Sequence, residues 1–271
     1  MAFRFTFTEA SERKVKKSIS ILKHFFTEVY NVCHFILRFF KEVLLPPYEF
    51  KEVLRQCYNI GYKSVALISL TGFITGVVFT KQSRPSLAEF GASSWLPSLI
   101  AIAIIRALAP LITALISAGK IGSNIGAELG SMNVTEQIDA MEVSGTKPFK
   151  FLVVSRVVAT TLMVPALTMY NGLIGMLGAF LNVYNNEMTS FRTFIANAFT
   201  QISFLDITAS VIKALVFGFT IGITGCYQGY NTTQGTQGVG KAANSAVVIS
   251  MFLIFIEEML IVQIVNSLRP Q

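Results

Sequence analysis

The sequence predicts an all-α membrane protein: N-terminal interfacial amphipathic helices, then five transmembrane helices, with one short cytoplasmic helix between two of them. Of its 271 residues, 52% are hydrophobic and only 14% are charged, whereas a soluble domain carries about 25% charged residues. Five apolar stretches follow the basic N-terminal region, and roughly 20 apolar residues suffice to cross about 30 Å of hydrocarbon. This composition excludes a disordered chain or a collagen-like one.

The N-terminal region is basic and amphipathic. Net charge is +7, and about half of the 22 Lys and Arg residues precede Ser64, interleaved with Phe, Ile and Leu. This pattern favours membrane-surface binding over nucleic-acid binding, and no secretory signal is expected in Met1–Lys17. Ser18–Leu45 is too charged to span and is predicted to be an interfacial helix ended by Pro46 and Pro47, with a second such helix at Tyr48–Tyr62. We therefore expect an interfacial domain at residues 1–63 and a transmembrane domain at residues 64–271.

Five spans are predicted, and the connections between them differ in character. The connection Gly119–Lys150 is long and acidic, and Gln228–Lys241 is rich in Gly, Thr, Asn and Gln. With a basic, cytoplasmic N-terminus, the positive-inside bias places both connections in the cytoplasm. Glycines recur four residues apart, as at Gly72 and Gly76, which favours close helix packing in a bilayer. The spans are Ser64–Thr80, Trp95–Ala118, Phe151–Tyr184, Asp206–Tyr227 and Ala242–Leu268.

The acidic connection contains a predicted short helix. Asn133 and Glu136 have the spacing of a capping box, which would start a helix of about three turns at Val134. Gly145 can stop it in the left-handed conformation. A solvated surface helix is one interpretation. The second interpretation is a docking helix for a cytosolic partner. It is favoured because the helix has acidic and apolar faces and the chain has no soluble domain for it to pack against. Its acidic residues are Glu136, Asp139 and Glu142.

No nucleotide or metal site is expected in this chain. Gly235–Ala242 nearly fits the phosphate-binding loop G-x-x-x-x-G-K-[ST], but Ala242 stands where a Ser or Thr must ligate magnesium. A membrane helix also precedes it, where the loop requires a strand. The three cysteines lack CxxC spacing, and His24 and His34 lack partners for a metal. We therefore predict that any ATP is hydrolysed by another chain.

Charged residues within the spans are the candidate functional residues. Arg106 lies in the second span, where an unpaired cation costs about 2.5–3.5 kcal/mol, so it should face a cavity or a partner. It could bind a phosphate head group, or it could form an ion pair with Glu257 or Glu258. The sequence favours neither interpretation over the other. Asp206 and Lys213 lie nearly two turns apart on one helix face, so we expect Lys213 to pair with another span.

One run resembles a known family. GKIGSNIGAELGSMNVTEQIDAMEVSGTKPFKFLVVSR, from Gly119 to Arg156, closely resembles the signature of the MlaE-type (YrbE) permeases, the membrane subunits of lipid ABC transporters that work with MCE proteins. Matching pieces occur in order from about Leu70 to the C-terminus. The chain departs from the family pattern at three positions. Ala107 follows Arg106 where the family commonly has an acidic residue, and Lys120 stands where an Arg is usual. In the last span, Glu257 stands near where an Asp is expected.

The resemblance implies a permease subunit without catalytic residues, which moves phospholipids between inner and outer membranes. It implies a homodimer in the bacterial inner membrane, a cytosolic ABC ATPase that binds ATP and Mg²⁺, a periplasmic MCE-domain protein and, in many systems, a STAS-domain protein. Movement of the ATPase would be transmitted through Val134–Ser144, opening and closing a lipid cavity. The implied cavity charges are Arg106, Asp206, Lys213 and Glu257, and the implied coupling residues are Glu128, Glu136, Asp139, Glu142 and Gly145.

The sequence is also compatible with two functions other than that of an ABC transporter permease. An ion-coupled secondary transporter would use Arg106, Lys213 and Glu257, and would transport without an ATPase. A membrane scaffold would tether an MCE protein and would tolerate neutralisation of its cavity charges. The sequence indicates neither the lipid head group nor the direction of transport.

Overall fold

The computed structural model describes residues 23, 26–46, 48–187, 189–233 and 235–267, and every regular element within these ranges is a helix. The chain divides into two units, Met1–Pro47 and Tyr48–Gln271. In the first unit, residues 26–44 form helix α1, which ends two residues before Pro46. The predicted interfacial helix Ser18–Leu45 is thus helical over most of its length. Its residues 18–22, and all of Met1–Lys17, lie outside the described residues.

In the second unit, the residues that the structure describes form seven further helices. Five of them, α2, α3, α5, α7 and α8, are long and apolar enough to cross a membrane, which confirms the predicted number of spans. The other two are short: α4 lies between the second and third spans, and α6 between the third and fourth. The bounds are α2 Phe50–Glu89, α3 Ser93–Val134, α4 Gln137–Val143, α5 Phe149–Asn186, α6 Phe191–Phe199, α7 Phe204–Tyr230 and α8 Gly235–Ser267.

The spanning helices extend beyond the apolar stretches that predicted them. The helix expected at Tyr48–Tyr62 begins at Phe50 and continues without a break into the first span, so that both form the single helix α2. Likewise, half of Gly119–Lys150 belongs to α3, and most of the connection predicted at Gln228–Lys241 belongs to α7, which ends at Tyr230, and to α8, which begins at Gly235. Apolar composition marks the part of a helix that lies in hydrocarbon. The backbone continues as a helix until a stop signal or a turn ends it.

Small residues set the packing of the spans. Helix α2 packs along α5, α5 packs on α7, and α7 packs on α8, while α3 contacts α5, α7 and α8. A Cβ atom on Gly76 would overlap the backbone carbonyl of Gly175, and a Cβ on Gly222 would come within 3.0 Å of the Cα of Val157. These glycines therefore let the helix backbones touch, as their spacing predicts.

Two spans contain turns of π-helix. In α3 these are Ile104–Leu108 and Ala118–Gly122, and α5 begins with the π-helical segment Phe149–Val154. The first contains Arg106 and the second contains Lys120. Such turns occur frequently at functional sites, because one inserted residue re-aims side chains and frees a carbonyl group.

Candidate functional site

The charges within the spans form a connected cluster. Lys213 of α7 is only 2% exposed, and its Nζ donates to Glu258 Oε1 of α8 at 2.5 Å. The same Nζ donates to the backbone carbonyl of Arg106 at 3.2 Å, in the first π-helical turn of α3. One buried ammonium therefore ties three spans together. The expectation that Lys213 pairs with another span is confirmed.

Arg106 has its own carboxylate. Its Nη2 lies 3.1 Å from Asp206 Oδ1, at the start of α7. The other carboxylate oxygen of Asp206 accepts hydrogen bonds from the backbone N–H and the hydroxyl of Ser203, each at 3.1 Å, and so caps α7. The alternative in which Arg106 pairs with Glu257 or Glu258 is wrong, because the structure brings Asp206 to it instead. The missing acid at position 107 is thereby replaced by one from another span.

Glu257 differs from its neighbour in the cluster. Its Oε1 accepts a hydrogen bond from Thr220 Oγ1 at 2.5 Å, and its buried Oε2 has no hydrogen-bond partner in the described part of the chain. Within the same ranges it forms no ion pair, whereas Glu258 is paired with Lys213. The two adjacent carboxylates therefore stand in different environments, one neutralised by a cation and one held only by a hydroxyl.

An apolar cavity adjoins this cluster. It has a volume of about 450 Å³ and lies between α3, α5, α6 and α7. Ile105 and Ile207, the chain neighbours of Arg106 and Asp206, line it, together with Met169, Leu173 and Phe199 among others. A volume of this size accommodates part of an apolar or amphipathic molecule. The cavity can therefore hold a hydrocarbon group, and it lies near Arg106 through the neighbouring residue Ile105.

The helix predicted in the acidic connection exists, but it begins differently. Helix α4 has seven residues, and Glu136 precedes it in the left-handed conformation with φ 57° and caps nothing through its side chain. The predicted capping box is wrong, because the residue before α4 is Glu136 and no side chain caps this end of the helix; the amide of Asn133 donates to the carbonyl of Thr232 at 2.6 Å. Helix α3 also continues through Val134. The predicted stop at Gly145 is confirmed, with φ 77°.

Helix α4 presents an acidic surface. Ile138 is buried and anchors the helix, while Glu136, Asp139 and Glu142 are exposed. Val143 is 90% exposed beside them. The helix is thus held to the rest of the chain by Ile138 and exposes its carboxylates.

Glu128 pairs with a residue that the sequence analysis missed. Arg156, in α5, is 3% exposed at its side chain, and its Nη2 lies 2.8 Å from Glu128 Oε1. Its Nη1 donates to the carbonyl of Leu152 at 2.9 Å. A lone Arg at the start of an apolar run was the available signal, because a cation there needs a partner just as Arg106 does. Glu128 is thus held by an ion pair within the chain.

The near-match to a nucleotide-binding loop does not form a loop. Gly235–Ala242 forms the first turns of α8, so the glycine-rich loop that surrounds the phosphates in nucleotide hydrolases is not formed by these residues. Among the described residues, no group of three or more His, Cys, Asp and Glu could hold a metal ion.

Comparisons with known proteins agree with this architecture. The family model described as Permease MlaE matches residues 53–264. A probable ABC transporter permease protein of Rickettsia typhi is 35% identical over 223 residues, covering 82% of this chain and 86% of that protein. A probable ABC transporter permease protein of Synechocystis is 39% identical over 209 residues, covering 76% and 78%. The chloroplastic protein TRIGALACTOSYLDIACYLGLYCEROL 1 of Arabidopsis thaliana is 35% identical over 208 residues, covering 77% and 59%.

The matched range includes all five spans, the charged cluster and α4. With several relatives above 30% identity across most of the chain, the family is established. The chain is a multi-pass membrane protein that belongs to the MlaE permease family.

Proposed function

We propose that the chain is the permease subunit of an ABC transporter that moves phospholipids between the inner and outer membranes of a bacterial envelope. The observation that carries this proposal is the apolar cavity beside the partly exposed Arg106. A phospholipid is an amphipath with acyl chains and an anionic phosphate. The cavity suits the acyl chains, and the guanidinium suits the phosphate.

Arg106 keeps donors for such a ligand after it has paired with Asp206. Its side chain is 29% exposed, one Nη contacts Asp206, and its Nε has no hydrogen-bond partner in the described part of the chain. A guanidinium has five N–H donors and binds phosphate oxygens in a bidentate manner. The ion pair orients the arginine. Because its Nε is buried, the exposed part of the guanidinium would supply the donors to a head group.

The energy for transport would come from another subunit. An ABC transporter permease works with an ATPase, and we assign ATP and Mg²⁺ to that partner because Gly235–Ala242 is helical. The exposed acidic face of α4 is the proposed contact, with Asp139 and Glu142 at its centre and Glu128, Glu136 and Gly145 shaping the segment. We further propose a homodimer in the inner membrane with a cytoplasmic N-terminus, a periplasmic MCE-domain partner and, in some systems, a STAS-domain protein.

The name of one relative supports a lipid substrate. The Arabidopsis protein carries the name of a galactolipid, trigalactosyldiacylglycerol. That name belongs to the relative. It favours a diacylglycerol-based lipid for this chain over a small ion, which an ion-coupled transporter would carry.

The proposal is tested by reconstitution. The chain and its cognate ATPase are placed in proteoliposomes with fluorescent phospholipid, and transfer to acceptor vesicles is followed with ATP and with a non-hydrolysable analogue. We expect transfer only with ATP. We also expect Arg106→Ala to keep assembly and basal ATP hydrolysis while less phospholipid is recovered with the purified complex. Arg192→Ala, which removes an exposed cation from α6, is the matched control.

Two results would contradict the proposal. Gradient-driven transport by the chain without an ATPase would identify a secondary transporter, and absence of ATP-dependent lipid transfer would favour a scaffold. If Arg106→Ala separates the subunits while the recovered lipid is unchanged, Arg106 serves only the ion pair with Asp206 and the head-group assignment is wrong.

A further inference from the structure

A second cavity lies between α2, α3 and α5. Its volume is about 820 Å³, within the range of about 300–1,000 Å³ that is usual for small-molecule sites. Lys120, on its wall, is 14 residues from Arg106 along α3, which corresponds to about 20 Å at a helical rise of about 1.5 Å per residue. The cavity is therefore separate from the charged cluster, and it lies at the end of the spans that adjoins α4.

The lining of this cavity carries more cations than carboxylates. Of its two carboxylates, Glu128 pairs with Arg156 at 2.8 Å and Glu52 lies 3.7 Å from Arg55. Among the residues that the structure describes, the two lysines on the wall form no ion pair. The surplus charge of the cavity is therefore positive. Its cations are Arg55, Lys63, Lys120 and Arg156.

Several donors on the wall lack acceptors. Arg156 is 3% exposed at its side chain, and its Nε is buried without a hydrogen-bond partner in the described ranges. The hydroxyl of Ser64 on the same wall is also buried without a partner there. Lys120 Nζ donates to the backbone carbonyl of Lys63, which uses one of the three donors of an ammonium group. Buried donors of native proteins nearly always meet an acceptor, so these donors point to an anionic one.

We propose that this cavity binds an anionic phosphate group, held by Arg156, Lys120 and Lys63. A phosphate has several strong acceptor oxygens, and its charge-assisted hydrogen bonds to guanidinium and ammonium groups are stronger than neutral ones. The phosphate belongs either to the head group of a phospholipid in the adjoining leaflet or to a soluble phosphate compound. The proposal concerns binding alone, and it holds whether or not the chain transports lipid.

The test removes cations from the wall without disturbing the buried pair. The double variant Lys63→Gln/Lys120→Gln keeps Arg156 and Glu128, while Lys81→Gln/Lys241→Gln removes the same charge from exposed positions outside the cavity. Each full-length chain is purified in mild detergent, and far-UV circular dichroism checks that it is folded. Native mass spectrometry measures binding of phosphatidylglycerol, and phosphorus NMR line broadening measures binding of inorganic phosphate.

We expect the cavity variant to bind at least one probe about tenfold more weakly than the wild type, equivalent to ~1.4 kcal/mol, while the control variant binds normally. Phosphatidylglycerol binding that inorganic phosphate does not displace would identify a lipid head group. Saturable binding of inorganic phosphate would identify a soluble ligand. Equal affinities of the two double variants for both probes, or no binding of either probe to the wild type, would overturn the proposal.

Discussion

Breaking the ion pair between Lys213 and Glu258 is expected to destabilise the bundle strongly, whereas replacing both partners is not. Lys213→Met leaves the Glu258 carboxylate without its cation, and Glu258→Gln leaves a 2% exposed ammonium without its counter-charge, beside the carbonyl of Arg106. Loss of one partner of a buried pair typically costs about 3–5 kcal/mol, because the remaining charge stays desolvated. In the double variant no charge is left to desolvate.

The size of the coupling follows from the geometry. Nζ and Oε1 are 2.5 Å apart, and unit charges about 4 Å apart attract by about 4 kcal/mol at an effective dielectric constant of about 20. Part of this attraction offsets the desolvation of both groups. Because each single change is expected to cost about 3–5 kcal/mol and the double variant much less, we expect a coupling energy above the range of about 0.5–3 kcal/mol that contacting residues usually show in double-mutant cycles.

The assay is reversible unfolding in mixed micelles. The loss of far-UV circular dichroism is followed as the SDS fraction rises, for the wild type, both single variants and Lys213→Met/Glu258→Gln. Glu257→Gln is the matched control, because Glu257 adjoins Glu258 but has only the hydrogen bond from Thr220. We expect it to change the free energy of unfolding much less than Glu258→Gln. Additive single changes, or equal effects of the two glutamine variants, would refute the assignment of the pair.

The exposed acids of α4 and the glycine contact between α2 and α5 give two further predictions. Asp139→Lys/Glu142→Lys should weaken copurification of the ATPase while the permease still inserts, because both side chains are exposed on a helix proposed to dock it; undiminished copurification would contradict the docking role. Gly76→Ala should lower the free energy of unfolding by about 1–3 kcal/mol, since its Cβ would overlap the carbonyl of Gly175. Gly119→Ala, whose Cβ would have its nearest contact at 3.8 Å, should be neutral or stabilising in the same SDS titration. A similar loss at both glycines would show that the overlap at Gly76 is not the cause.

The sequence was sufficient for features that depend on local composition. Apolar length identified all five spans, because crossing hydrocarbon requires a continuous apolar helix wherever its neighbours lie. Gly72 and Gly76 indicated a close contact between helices, because a larger side chain at either position would prevent it. Gly145 marked the end of α4, because the left-handed backbone at φ 77° favours glycine.

Only the tertiary structure decided which distant groups meet. Arg106 and Asp206 are 100 residues apart, and nothing local distinguishes Asp206 from Glu257 or Glu258 as the partner. The capping box at Asn133 failed because the preceding helix continues through Val134, so Asn133 lies within that helix, and its amide donates to the carbonyl of Thr232 in the connection after α7. Composition indicates that a charge within a span needs a polar partner or a cavity. The faces that adjacent helices turn toward each other determine its partner, and those faces are set by packing along the whole length of α2, α3, α5, α7 and α8.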